Sequence, residues 1–214
     1  VRSEIETVCP RVMRRVGGYN LDGFFPQSER PYNADGSLNL AQLLVGSEGT
    51  LATFESLTLR LAPIPKHKVL GVVNFASFQK AMLSTARIVE LGPVAVELVD
   101  RTMIELCRAN PVFAPVIQDA VVPVNGAPTD ALLLVEFAGA DLASLERRLR
   151  ELDTLMADLG QPQSVVAMAD AKRQSALWEV RKAGLNIMMS LRGDGKPVSF
   201  IEDCAVPLEH LADY

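Results

Sequence analysis

From residue 66 onward, short apolar runs alternate with single amphipathic stretches, and that order leaves few folds open. The runs "KVLGVVNF" (68–75), "PVAVELV" (93–99), "ALLLVEF" (131–137), "SVVAMA" (164–169) and "VSFIEDCAV" (198–206) have strand length and composition. Helical periodicity between them predicts helices over 77–91, 100–109, 141–159 and 170–191. The clearest is 141–159, where Leu142, Leu145, Leu149, Leu152, Leu155, Met156 and Leu159 share one face. Ser77, Asp100 and Asp141 stand at N-cap positions, and Gly92 and Gly160 fall where their helices must stop. Residues 109–130 read as irregular, with room for a helical turn. A β-α-β-α-β-α-β-α-β order builds either a parallel α/β sheet or a split βαβ, ferredoxin-like sheet. No phosphate loop follows the first strand, which favours the second: an α+β domain with an antiparallel sheet and helices on one face.

Before residue 66 the pattern differs. Residues 3–16 have helical spacing interrupted by Pro10, 17–39 form a long Gly-, Pro- and Asn-rich loop, and 39–45 make a short helix or strand. Residues 52–62 alternate Leu57, Leu59 and Leu61 with Ser56, Thr58 and Arg60, as a strand does. "PIPKHK" then marks a boundary, giving two domains, 1–65 and 66–214. Hydrophobic residues make up 49% of the chain, enough for a real core, and a net charge of −5 argues against general nucleic-acid binding. Cys9, Cys107 and Cys204 form no CxxC pair and read as reduced thiols in a cytoplasmic setting. No apolar run reaches the ~18 residues of a spanning helix. A start without Met and an abrupt end at "LEHLADY" suggest a piece of a longer protein.

The stretch with most chemistry in it is "LLVGSEGTLA", 43–52. It is neither a P-loop nor GxGxxG. Gly46 and Gly49 permit positive φ and remove Cβ atoms, so main chain can approach a flat or anionic ligand. Ser47 and Thr50 offer hydroxyls, and Glu48 offers an acceptor.

"NLAQLLVGSEGTLATFESLTLRLAPIP" resembles a stretch of the FAD-linked oxidases of the vanillyl-alcohol-oxidase type, in which such a turn closes the flavin domain against the isoalloxazine. "GGYNL" (17–21), "LWEVRKAG" (177–184) and "KPVSFIEDCAVPLEHLADY" (196–214) resemble further segments of that group. The nearest branch by these motifs is the long D-2-hydroxyacid dehydrogenases with a downstream iron–sulfur region. The resemblance implies that 1–65 is the tail of a flavin-binding domain and 66–214 a truncated substrate domain. It implies FAD in the parent, contacted by Tyr19, Asn20, Gly46, Ser47, Glu48, Gly49, Thr50 and Leu51. It also implies a D-lactate- or D-2-hydroxyglutarate-class substrate, and an electron acceptor or iron–sulfur region and a divalent metal outside this chain. The parent is then cytoplasmic or peripheral at the inner membrane face, and the isolated piece is inactive. Ile201 stands near where several relatives carry a lysine for a second carboxylate, which counts against a dicarboxylate unless another cation replaces it.

Oxidising a 2-hydroxy acid requires its carboxylate to be held, and Arg181 is the candidate, because a guanidinium fork matches a carboxylate. Trp178, Arg181 and Leu185 fall on one helical stripe, with Gly184 at a helix-interior cost of about 1 kcal/mol. Glu202 and Asp203, adjacent on a strand, point to opposite faces and make no dyad. His67 and His210 are too few and too far apart for a three-histidine metal site, so no metal ligand is assigned. The competing reading is a non-catalytic ferredoxin-like module that binds a ligand or partner.

Overall fold

The computed structural model describes residues 2–9, 18–24, 35–59, 61–189 and 204–214. The chain divides into two units, Val1–Ala62 with Asp203–Pro207, and Pro63–Glu202 with Leu208–Tyr214. Each is described by itself.

The second unit is built on strands β1 (His67–Phe75), β2 (Ala95–Asp100), β3 (Ala131–Gly139) and β4 (Val165–Met168). Their order is β2-β3-β1-β4, and every neighbouring pair is antiparallel. Helix α2 (Phe78–Val89) therefore links two parallel strands that have β3 between them, and α5 (Leu142–Asp158) links two that have β1 between them. Two interleaved split βαβ units of this kind make the ferredoxin-like sheet that the strand–helix order predicts.

Helices on one face proves too narrow. Val69, Val73, Phe75, Leu133, Val135 and Phe137 meet α2 and α5 through Ile88, Leu149, Leu152 and Met156. On the opposite face Leu70, Val72, Leu132 and Leu134 are covered too, by Ile104, Cys107, Ile117, Leu177 and Val180. Those residues lie on α3 (Arg101–Ala109), α4 (Ala114–Ala120) and α6 (Ala171–Lys182), and Ile187 of α7 (Gly184–Met189) joins them. The reason is visible in the strands: β1 and β3 are buried along nearly their whole length, so both faces need cover.

Capping side chains set the helix starts. Asp100, Asp141 and Asp170 accept from the amides of Met103, Ser144 and Arg173. Ser77 occupies its N-cap position without making that bond; Asp130 reaches across and its Oδ2 accepts from the Phe78 amide at 2.9 Å. The irregular segment holds two full turns in α4, with Pro115 in the first turn, where a missing N–H costs nothing. The single helix expected over 170–191 ends at Lys182 and restarts at Gly184. A fifth strand over 198–206 falls mostly outside the described residues, as do Glu202 and Asp203.

In the first unit, α1 (Arg2–Val8) is helical, and Leu40–Leu43 is a turn of 3₁₀ helix capped by Asn39. The strand expected over 52–62 is absent from its described residues, and Leu57, Leu59 and Leu61 are 64%, 71% and 86% exposed. Alternation marks a strand's faces, but a strand forms only where a neighbour takes up its backbone hydrogen bonds, and among the described residues none does.

Candidate functional site

The glycine turn grows out of the Leu40–Leu43 helix by successive tight hydrogen bonds. The amide of Leu44 donates to Ala41 O, that of Ser47 to Leu44 O, and that of Thr50 to Ser47 O at 2.9 Å. Gly46, Glu48 and Gly49 all have positive φ (85°, 49° and 79°). Residues 48 and 49 are thus the centre of a turn with both φ values positive, a conformation glycine takes freely and glutamate only at a cost.

Tyr19 and Asn20 brace this turn. Thr50 Oγ1 donates to Ser47 O at 2.6 Å, which uses its one hydrogen, so the Tyr19 hydroxyl donates to Thr50 Oγ1 across 2.8 Å. Asn20 Nδ2 donates to Val45 O at 2.7 Å. A Cβ on Gly46 would lie 2.8 Å from Gly18 O, whereas one on Gly49 would meet nothing within 4 Å. The two glycines therefore serve different ends. At Gly46 the missing Cβ makes room for the neighbouring main chain. Gly49 leaves bare main chain at an exposed position. Ser47 is buried and its Oγ has no hydrogen-bond partner among the described residues. Glu48, Thr50 and Leu51 lie on the exposed rim with Tyr19. The structure thus bonds Tyr19, Ser47 and Thr50 together and Asn20 to Val45, with Gly46, Glu48, Gly49 and Leu51 beside them in the chain.

Arg181 is in the other unit, on the last turn of α6. Its helix is anchored on the sheet at the other end. Gln174 Nε2 donates to Lys68 O and Met168 O, and Arg173 grips Asp119 of α4 through Nε and Nη2 at 2.7 and 3.0 Å. The hydrogen bond to Asp119 raises the pKa of Arg173 above its ordinary value. Leu177 and Val180 face the core, and Trp178 is partly buried with its Nε1 lacking a partner among the described residues. The side chain of Arg181 is 47% exposed, and its Nε and Nη2 both donate to Glu97 Oε2 at 3.2 and 3.0 Å. Five N–H groups minus these two leave the Nη1 pair and one Nη2 hydrogen without a partner among the described residues.

Glu97 is the residue that the sequence reading missed. It lies on β2 opposite Leu134, on the face that α6 covers. Its signal is an acid at an inward position of an apolar run, "AVELV". Glu136 in "LLLVEFAG" carries the same mark, and it too is paired, with Lys68 Nζ at 2.9 Å. His210 is exposed beside Glu209, and among the described residues no three His, Cys, Asp or Glu side chains cluster as a metal site. No helix among them is long and apolar enough to cross a membrane.

Residues 64–214 match the family model "FAD linked oxidases, C-terminal domain". The chain is 30% identical over 212 residues to D-2-hydroxyglutarate dehydrogenase of Pantoea ananatis, covering 96% of this chain and 20% of that protein. It is 31% identical over 210 residues to the Escherichia coli enzyme of the same name, with 96% and 20% covered. A mitochondrial D-lactate dehydrogenase (cytochrome) of Arabidopsis thaliana is 30% identical over 182 residues, with 82% and 28% covered. The chain thus spans about a fifth of the length of the first two.

Proposed function

Because the chain belongs to the FAD-linked oxidases through their C-terminal domain, we propose that it is the substrate-binding part of an FAD-dependent dehydrogenase that oxidises a D-2-hydroxy acid to the 2-oxo acid. Residues 66–214 act as the substrate domain, and 1–65 as the tail of the flavin-binding domain. A bound flavin supplies the acceptor for the two electrons that leave the alcohol carbon.

This chain's own residues hold and orient. Arg181 clamps the substrate carboxylate through the N–H groups that Glu97 leaves over; a planar fork gives direction as well as charge. The braced turn at 46–50 presents an exposed main-chain surface at Gly49, rimmed by Tyr19 and Leu51, against which a flat ring can lie. The Ser47 Oγ, buried and without a partner among the described residues, fits a polar group that the turn receives on binding. These residues fit a flavin in their chemistry.

The family match over residues 64–214 carries the reading. Relatives named for D-2-hydroxyglutarate and for D-lactate support the substrate class and divide on its member. A non-catalytic binding module gives no reason for the 46–50 turn and the Arg181 helix to share one chain.

The test is the visible spectrum of the full-length protein containing this chain. Bound-flavin bands that bleach on adding D-lactate or D-2-hydroxyglutarate support the proposal. A protein that is colourless and takes up no FAD removes it. Within it, Arg181→Ala raises KM for the bleaching acid by about a hundredfold, the scale of a lost charge-assisted fork; unchanged kinetics refute the clamp.

A further inference from the structure

We infer that Glu97 is the positioning residue for Arg181: it holds the guanidinium by one edge so that the opposite edge is aimed and ready for the substrate carboxylate. The inference rests on the reading of Arg181 as the clamp and goes beyond it, since Glu97 itself touches no substrate.

The geometry is specific. A single oxygen, Glu97 Oε2, receives both the Nε and the Nη2 hydrogens of Arg181, at 3.2 and 3.0 Å. This is the side edge of the guanidinium. Holding it fixes the plane of the group and leaves the end edge, Nη1 with the second Nη2 hydrogen, for another carboxylate. A free arginine has many rotamers to lose on binding a ligand; one already gripped from a strand has lost most of them beforehand. Both ends of the grip are rigid. Glu97 sits within β2, hydrogen-bonded along its length to β3. Arg181 sits on α6, which Gln174 and Arg173 tie to the sheet and to α4.

The pair is also poor as mere stabilisation. Its side chains are 47% and 40% exposed, a setting in which an ion pair contributes little to folding. An arrangement with small structural worth and sharp orientation is what a positioning role requires.

The test uses the full-length flavoprotein with D-lactate and with D-2-hydroxyglutarate, and three variants of one residue. Glu97→Ala is expected to raise KM about tenfold with kcat changed less than about twofold, the scale of one lost orienting hydrogen-bond pair. Its Kd for oxalate, a non-oxidisable carboxylate followed by perturbation of the flavin band, rises in parallel. Glu97→Gln keeps an oxygen at the same reach and is expected to stay within about twofold of the parent. Glu97→Asp keeps the charge, withdraws the oxygen by one methylene, and behaves like Glu97→Ala.

A lowered KM in Glu97→Ala overturns the inference, since it makes Glu97 a competitor for Arg181. Glu97→Gln as impaired as Glu97→Ala overturns it as well, because charge and not aim is then what counts. Failure of the clamp reading looks different: Arg181→Ala leaves KM and the oxalate Kd unchanged. Impairment in Arg181→Ala with none in Glu97→Ala keeps the clamp and discards Glu97.

Discussion

A methyl group at position 46 has nowhere to go. It meets Gly18 O at 2.8 Å with φ at 85°, so Gly46→Ala must move main chain and adopt a strained angle together. We expect it to cost about 2–3 kcal/mol and to loosen flavin retention in the full-length protein. Gly49→Ala has the same strain with open space around it and should cost about 1 kcal/mol. Urea melts of the two variants check the order. Cys107 offers a residue-scale pH effect. Burial pushes its thiol pKa up, so folding opposes ionisation: the stabilisation is whole below the ordinary thiol range and is lost as pH rises through the folded value. The fall of the urea midpoint at alkaline pH should therefore be shallower in Cys107→Ala. At this scale the sequence was informative where neighbours are close in the chain. The 46–50 turn could be read directly, whereas Glu97 meets Arg181 only because β2 and α6 fold onto one face.

Helix ends and sheet interiors show where periodicity stops being enough. Asp130 caps α2 and receives Arg101 Nε at 2.8 Å, tying the starts of two helices through one carboxylate. Asp130→Ala should cost about 1–2 kcal/mol, with Asp130→Asn recovering the cap but not the ion pair; thermal melts of both separate the parts. No local pattern betrays this cap, because the residue lies 52 positions from the amide it serves. Gly71 is a comparable case within β1. A Cβ there would fall 2.5 Å from Leu152 Cδ2, so the glycine sets how closely α5 lies on the sheet. Gly71→Ala is expected to destabilise by about 1–3 kcal/mol through overpacking, measured by chemical denaturation. Four strands and most helices were visible as periods, because burial imposes them. The second covered face was not, since α3, α4 and α6 owe their place to connections that no period encodes.

At the scale of the molecule, stability is unevenly spread. Every buried hydrophobic side chain among the described residues lies at or beyond Val69, in the second unit. Asn74 adds a polar knot there, donating to Ala120 O and Ser164 O while its Oδ1 accepts from the Val122 amide, and the Thr129 hydroxyl beside it donates to Val122 O at 2.6 Å. Hydrogen exchange should accordingly protect β1 and β3 most and leave residues 35–59 fast; equal protection in both units contradicts this distribution. The domain boundary near residue 65 could be proposed from prolines and lysines, but composition alone does not predict how little core lies before it.

The strand order also dictates a timetable. Strand β1 is made first, yet both neighbours come late: Ala131–Gly139 and then Val165–Met168. On the ribosome, the apolar run at 67–75 must wait for residues 131–139 to be synthesised before its backbone is paired. Pairing over such a distance slows refolding relative to a helical bundle and leaves that apolar segment uncovered while it waits.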